Sequence, residues 1–130
     1  MSRCTGVLPT ERIRCASSSA LVRCVVPAAE TTFSSIKARY PIHLHALSPS
    51  EIVHAARRSK LTVPETLARM RDAGLDSIPG GGAEILVDRV REVIAPKKTT
   101  SAEWLDVMRH AHKLGMSTTA TMMYLSLIHI

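Results

Sequence analysis

The sequence predicts an α/β protein made of three βα units of a partial parallel barrel. Three observations carry this. Short β-type runs alternate with paired helix-type runs in the order strand, two helices, strand, two helices, strand, the pattern of a parallel sheet with right-handed crossovers. Three helix starts carry the S/T-x-x-E signature. The orderly part, residues 42–124, has room for three units of about 30 residues, whereas a closed (β/α)₈ barrel needs about 250.

The first strand is "PIHLHAL". Its alternation puts Ile42, Leu44 and Ala46 on one face and His43, His45 and Leu47 on the other. Ser48, Pro49 and Glu51 then start a helix as cap, first helical residue and capping-box acid, and it runs through "SEIVHAARRS". Thr62, Pro64 and Glu65 start the next helix, with Leu67 and Met70 inward, and Gly74 ends it. "LDSI" is a short strand that leads into the Pro-Gly-Gly-Gly loop. A helix is expected from about Ala83, with Leu86, Val90 and Val93 on one stripe and Pro96 as its stop. Thr100 and Glu103 open the last helix, whose inner positions are Trp104, Val107, Met108 and Ala111, and Gly115 closes it. "STTATMMY" is the third strand.

Composition narrows the classes. Of 130 residues 45% are hydrophobic but only 3% aromatic, so the core has to be aliphatic. No run of about 18 apolar residues suggests a membrane span, and no signal-peptide layout opens the chain, so a cytoplasmic protein with no membrane partner is expected. The net charge of +6 lies mostly in residues 1–40, which hold six Lys/Arg against two Asp/Glu. The cations are scattered and lack interleaved aromatics, so nucleic acid is not an expected partner. Residues 1–35 have no sustained period and are expected to form an irregular, poorly ordered leader. They hold Cys4, Cys15 and Cys24 at spacings that match no zinc or redox motif.

In parallel α/β folds chemistry gathers where strands end and loops begin. His43-x-His45, with Ser48, could bind a metal or hydrogen-bond a ligand. Gly80, Gly81 and Gly82 would let a ligand lie against backbone, and a helix starting at Ala83 would point free N–H groups into that loop. Glu84 would stand in that helix's first turn, where an acid also suits the helix dipole.

The stretch from "IKARYPIHLHALSPSEI" through "GLDSIPGGGAEIL" to "TTATMMY" closely resembles the radical S-adenosylmethionine enzyme cyclic dehypoxanthine futalosine synthase, of menaquinone biosynthesis through futalosine. Aminofutalosine synthase and the synthase of a deazaflavin cofactor precursor share the outline and stand as alternatives. The resemblance implies a (βα)₆ radical S-adenosylmethionine barrel spanning about residues 36–124. It also implies S-adenosylmethionine and a [4Fe-4S] cluster as cofactors, and a nucleoside-type substrate. By that resemblance His43, His45, Ser48, Gly80, Gly81, Gly82 and Glu84 bind substrate or S-adenosylmethionine. The family's Cys-x3-Cys-x2-Cys cluster loop has no counterpart here, so no metal ligand is assigned and the chain alone is expected to be inactive. "LSLIHI" at residues 125–130 resembles a translated sequencing adapter, and the front segment resembles an out-of-frame stretch, so a gene fragment is expected. A barrel metal-dependent hydrolase using His43 and His45 is the remaining alternative.

Overall fold

The computed structural model describes residues 25–123. Cys4, Cys15, Cys24, Tyr124 and the 125–130 tail lie outside the described residues, as do residues 1–24 of the expected leader. The elements are helices α1 (Val25–Arg39), α2 (Pro49–Ser59) and α3 (Val63–Asp72), strand β1 (Ser77–Ile78), helices α4 (Asp88–Ile94) and α5 (Ser101–Lys113), and strand β2 (Ser117–Thr118).

The capping boxes form as their residue types dictate. The Glu65 carboxylate accepts from the Thr62 amide at 2.9 Å, and the Glu103 carboxylate accepts from the Thr100 amide at 3.2 Å. At α2 the Ser48 amide donates to Glu51 at 2.7 Å. Gly74 (φ 111°) follows α3, and Gly115 (φ 75°) follows α5, each supplying the left-handed turn that ends a helix.

Three extended segments lie side by side. β1 pairs in parallel with β2, Ser77 opposite Ser117 and Ile78 opposite Thr118. The first predicted strand contracts to a parallel bridge of His45 to Ser77, with the Ser77 amide donating to Leu44 and the Ala46 amide to Ser77. Leu47 then turns out of the strand at φ 61°. Beyond β2 the third segment stays beside the glycine loop. The Thr121 amide donates to the Gly80 carbonyl and the Met123 amide to the Glu84 carbonyl.

The core is one largely aliphatic cluster, with Phe33 and Trp104 as its aromatic members. Ile52, Leu67, Met70, Leu75, Ile78 and Val107 are fully buried, and Trp104, Met108 and Ala111 pack with them. At ~25 cal/mol per Å² of apolar surface removed from water, each such side chain contributes about 1.5–3 kcal/mol. α2, α3 and α5 pack on one another, and α1 packs on α2 and α3. α1 takes in residues 25–35, for which the sequence shows no period. Only Val26 and Phe33 are buried there, seven residues apart, too sparse a signal to read. Among the described residues no helix is long and apolar enough to cross a membrane.

The helix expected from Ala83 is a correction. α4 starts at Asp88, and Ala83–Val87 is extended or turning. Gly82 (φ 82°) and Glu84 (φ 32°) leave the right-handed helical region. The buried Arg91 guanidinium also draws in the carbonyls of Gly82, Ala83 and Ile85 at 2.8–3.0 Å, so those oxygens are engaged by Arg91. Leu86 therefore packs on the core from a loop, and Val93 is 74% exposed instead of completing an inner stripe.

Candidate functional site

The expected site residues come from two neighbouring segments. His43 and His45 project from the first segment onto Ser77 of β1. His43 Nε2 lies 2.7 Å and His45 Nδ1 2.6 Å from the same Ser77 hydroxyl. Ser77 is buried and both histidines are exposed, so the rings cover the serine, and His43 Nδ1 and His45 Nε2 are the ring nitrogens that Ser77 does not engage. Beside them Asp76 accepts from Lys37 Nζ at 2.5 Å and from the Leu44 amide at 2.6 Å. The Lys37 hydrogen bond first, and the Leu44 amide second, hold the Asp76 carboxyl below its ordinary value. Lys37 also donates to the Ile42 carbonyl, so one ammonium ties α1 to the first segment and to Asp76, the residue before β1.

Two of the three glycines have a structural reason, and the two reasons differ. A Cβ on Gly80 would fall 2.0 Å from the Thr119 carbonyl oxygen, so glycine lets the neighbouring backbone approach. The Gly80 amide donates to the Thr119 hydroxyl at 2.9 Å. Gly82 holds a positive φ. A Cβ on Gly81 would make only an ordinary 3.5 Å contact with the Ser48 side chain, so packing does not require glycine there. Ser48 thus lies against the loop, but its hydroxyl donates to Glu51 at 2.7 Å and serves the α2 cap.

Glu84 is the unusual residue. It is a non-glycine at positive φ, a conformation that costs about 1–2 kcal/mol. One carboxylate oxygen pairs with Lys98. Oε2 is buried and meets no hydrogen-bond partner among the described residues. Desolvating an acceptor without a partner costs about 1–3 kcal/mol, more when charged. The first-turn dipole role expected for Glu84 does not hold, since α4 begins four residues later.

Sequence reasoning missed the residues that hold this loop. Arg91, in addition to its three loop carbonyls, donates to the Thr99 carbonyl at 2.5 Å. Trp104 Nε1 donates to the Gly81 carbonyl at 3.1 Å. Nothing in the spacing of Arg91 marks it, because its acceptors are backbone. Among the described residues no three His, Cys, Asp or Glu side chains gather to hold a metal ion. The described residues therefore do not fit an iron–sulfur cluster, and they provide no third ligand for a zinc held by His43 and His45.

No family model matches the chain. It is 53% identical over 91 residues to the "5-amino-6-(D-ribitylamino)uracil--L-tyrosine 4-hydroxyphenyl transferase 1" of Methanosarcina acetivorans, a match covering 69% of this chain and 24% of that protein. The transferase of the same description from Methanococcoides burtonii is 54% identical over 91 residues, covering 69% of this chain and 26% of the relative. That from Archaeoglobus fulgidus is 53% identical over 83 residues, covering 64% and 24%. The chain spans about a quarter of the length of these curated relatives. They are named as transferases, and their names overturn the resemblance to cyclic dehypoxanthine futalosine synthase together with its menaquinone pathway. The cyclase activity read from that resemblance has no support in these names. Three segments cannot carry that distinction, because related enzymes share the same outline.

Proposed function

We propose that this chain is the part of a 4-hydroxyphenyl transferase that binds 5-amino-6-(D-ribitylamino)uracil, the deazaflavin-precursor alternative noted above. The observation that carries the reading is 52–54% identity to transferases so named, over about seven-tenths of this chain. In this reading the three parallel segments are three units of a larger parallel barrel whose mouth is formed by their loops.

Two features of the site support it. The ring nitrogens of the exposed His43 and His45 that Ser77 does not engage suit a polar heterocycle edge. The unpartnered Oε2 of Glu84 suits a hydroxyl or amine donor, such as the ribityl chain or the 5-amino group, or a ribose hydroxyl of S-adenosylmethionine. Gly81 lets a ligand reach backbone between Ser48 and Glu84. These residues bind and orient, and Lys98 balances the Glu84 charge. S-adenosylmethionine and a [4Fe-4S] cluster belong to the proposal as cofactors of the whole enzyme. The described residues do not seat the cluster, and no step is derived through it. A cytoplasmic location belongs to the proposal too.

The test is a chimera in which the matched residues of this chain replace their counterparts in the Methanosarcina acetivorans enzyme. It is assayed anaerobically with tyrosine and 5-amino-6-(D-ribitylamino)uracil, and the product is read by mass spectrometry. Formation of the 4-hydroxyphenyl adduct supports the assignment. A folded, cofactor-loaded chimera that forms none overturns it.

A further inference from the structure

Ser77 is 4% exposed and sits in the middle of the three parallel segments, bridged to His45 on one side and paired with Ser117 on the other. Its hydroxyl meets His43 Nε2 at 2.7 Å and His45 Nδ1 at 2.6 Å, and meets no third partner among the described residues. A serine hydroxyl has one hydrogen and two lone pairs. Being buried, it has to give that hydrogen to one ring, since an unused buried donor is costly. The other ring must then donate an N–H to the serine oxygen.

Because the two rings reach Ser77 through different nitrogens, only two neutral arrangements satisfy all three groups. If Ser77 donates to His43 Nε2, both rings carry their hydrogen on Nδ1. If Ser77 donates to His45 Nδ1, both carry it on Nε2. The rings share one tautomer either way. The remaining nitrogens, Nδ1 of His43 and Nε2 of His45, are then one donor and one acceptor in both cases, and they exchange roles together.

We propose that Ser77 is a positioning residue that couples the tautomers of His43 and His45, so that the pair offers one donor and one acceptor to an amide-type ligand edge. A uracil ring, with adjacent N–H and C=O groups, has that edge. The ligand class rests on the transferase reading above, whereas the coupling rests on the hydrogen-bond geometry alone.

The test is a long-range ¹H–¹⁵N spectrum of the imidazoles in this chain, recorded above the imidazole titration range. Matched tautomers are expected in the unsubstituted protein and in Ser77→Thr, which keeps a hydroxyl. In Ser77→Ala, with amide dispersion as the fold control, the coupling should be lost and each ring should show its own mixture. Opposite tautomers in the unsubstituted protein, or a match that persists in a folded Ser77→Ala, overturn the proposal. Added uracil should shift both ring signals while 1,3-dimethyluracil, which lacks the N–H, should not. Equal responses to the two overturn the ligand edge. Matched tautomers beside an inactive chimera leave the Ser77 role standing and remove the transferase reading. Opposite tautomers beside an active chimera do the reverse.

Discussion

Glu84 combines a positive φ, a lysine partner and a buried oxygen without one. Such strain persists where surrounding structure over-determines it, and here Arg91 and the third segment hold the backbone on both sides. In the chimera, Glu84→Gln should cut turnover about 10–100-fold, the worth of one charge-assisted hydrogen bond, while the melting temperature moves little. Equal turnover would remove Glu84 from the site. Gly80→Ala should act oppositely, through stability. Its Cβ would strike the Thr119 carbonyl, and overpacking against backbone costs about 1–3 kcal/mol or more, read by denaturant unfolding. Arg91→Met should free the loop carbonyls and speed amide exchange across residues 80–86, and Arg91→Lys should recover only part of the protection, because one ammonium cannot span the loop and Thr99. Unchanged exchange in Arg91→Met would show that the loop is held by other contacts. The sequence marked Glu84 by its place after three glycines. It did not mark Ser77 or Arg91, because their partners lie far along the chain or are backbone atoms that any residue supplies.

At the scale of elements, the helices are held by caps and by a few polar ties. Asp88 opens α4 and accepts from both the amide and the hydroxyl of Ser101 at 2.8 Å, which joins the starts of α4 and α5. The Ser101 amide, then its hydroxyl, hold the Asp88 carboxyl low. The Thr62 hydroxyl, then its amide, do the same for Glu65, and Lys37 does so for Asp76. All three groups are depressed in the folded state. Their contribution is therefore complete above the unfolded carboxylate values of about 3.9–4.3, and it is lost as pH falls below them toward the folded values. Circular dichroism against pH should show stability falling in that window, and Asp76→Asn should flatten the fall; an unaltered acid limb would mean that Asp76 is not coupled to folding. Thr62→Ala and Thr100→Ala should each cost about 1 kcal/mol by loss of a cap. The capped helices α2, α3 and α5 were legible because Ser48, Thr62 and Thr100 each stand three residues before a glutamate. α4 was misplaced because its start depends on the carbonyls that Arg91 withdraws, a contact with no local signature.

For the whole molecule, the parallel order of the three segments follows from the helix pairs between them, which carry the chain back to the same end each time. The first and third segments are the outer ones, and Ile42 and Met122 on them are exposed. The Ser77, Ala46 and Thr119 amides, which bond between segments, should therefore exchange more slowly in hydrogen exchange than the neighbouring amides of Ile42 and Met122. Uniform exchange would contradict a formed three-segment sheet.

The sequence by itself determined where helices α2, α3 and α5 start and end and which faces of α3 and α5 turn inward, through Leu67, Met70, Trp104, Val107, Met108 and Ala111, and it offered the histidines and the glycine loop as candidate site residues. Caps and periodicity act within a few residues, so local order is enough to read them. Only the tertiary structure decided that His43 and His45 share one serine, that Gly80 yields to Thr119, and that α4 waits until Asp88. The first two depend on atoms brought together from positions more than 30 residues apart, and the third on a guanidinium that reaches back six to nine residues to backbone oxygens any residue could supply.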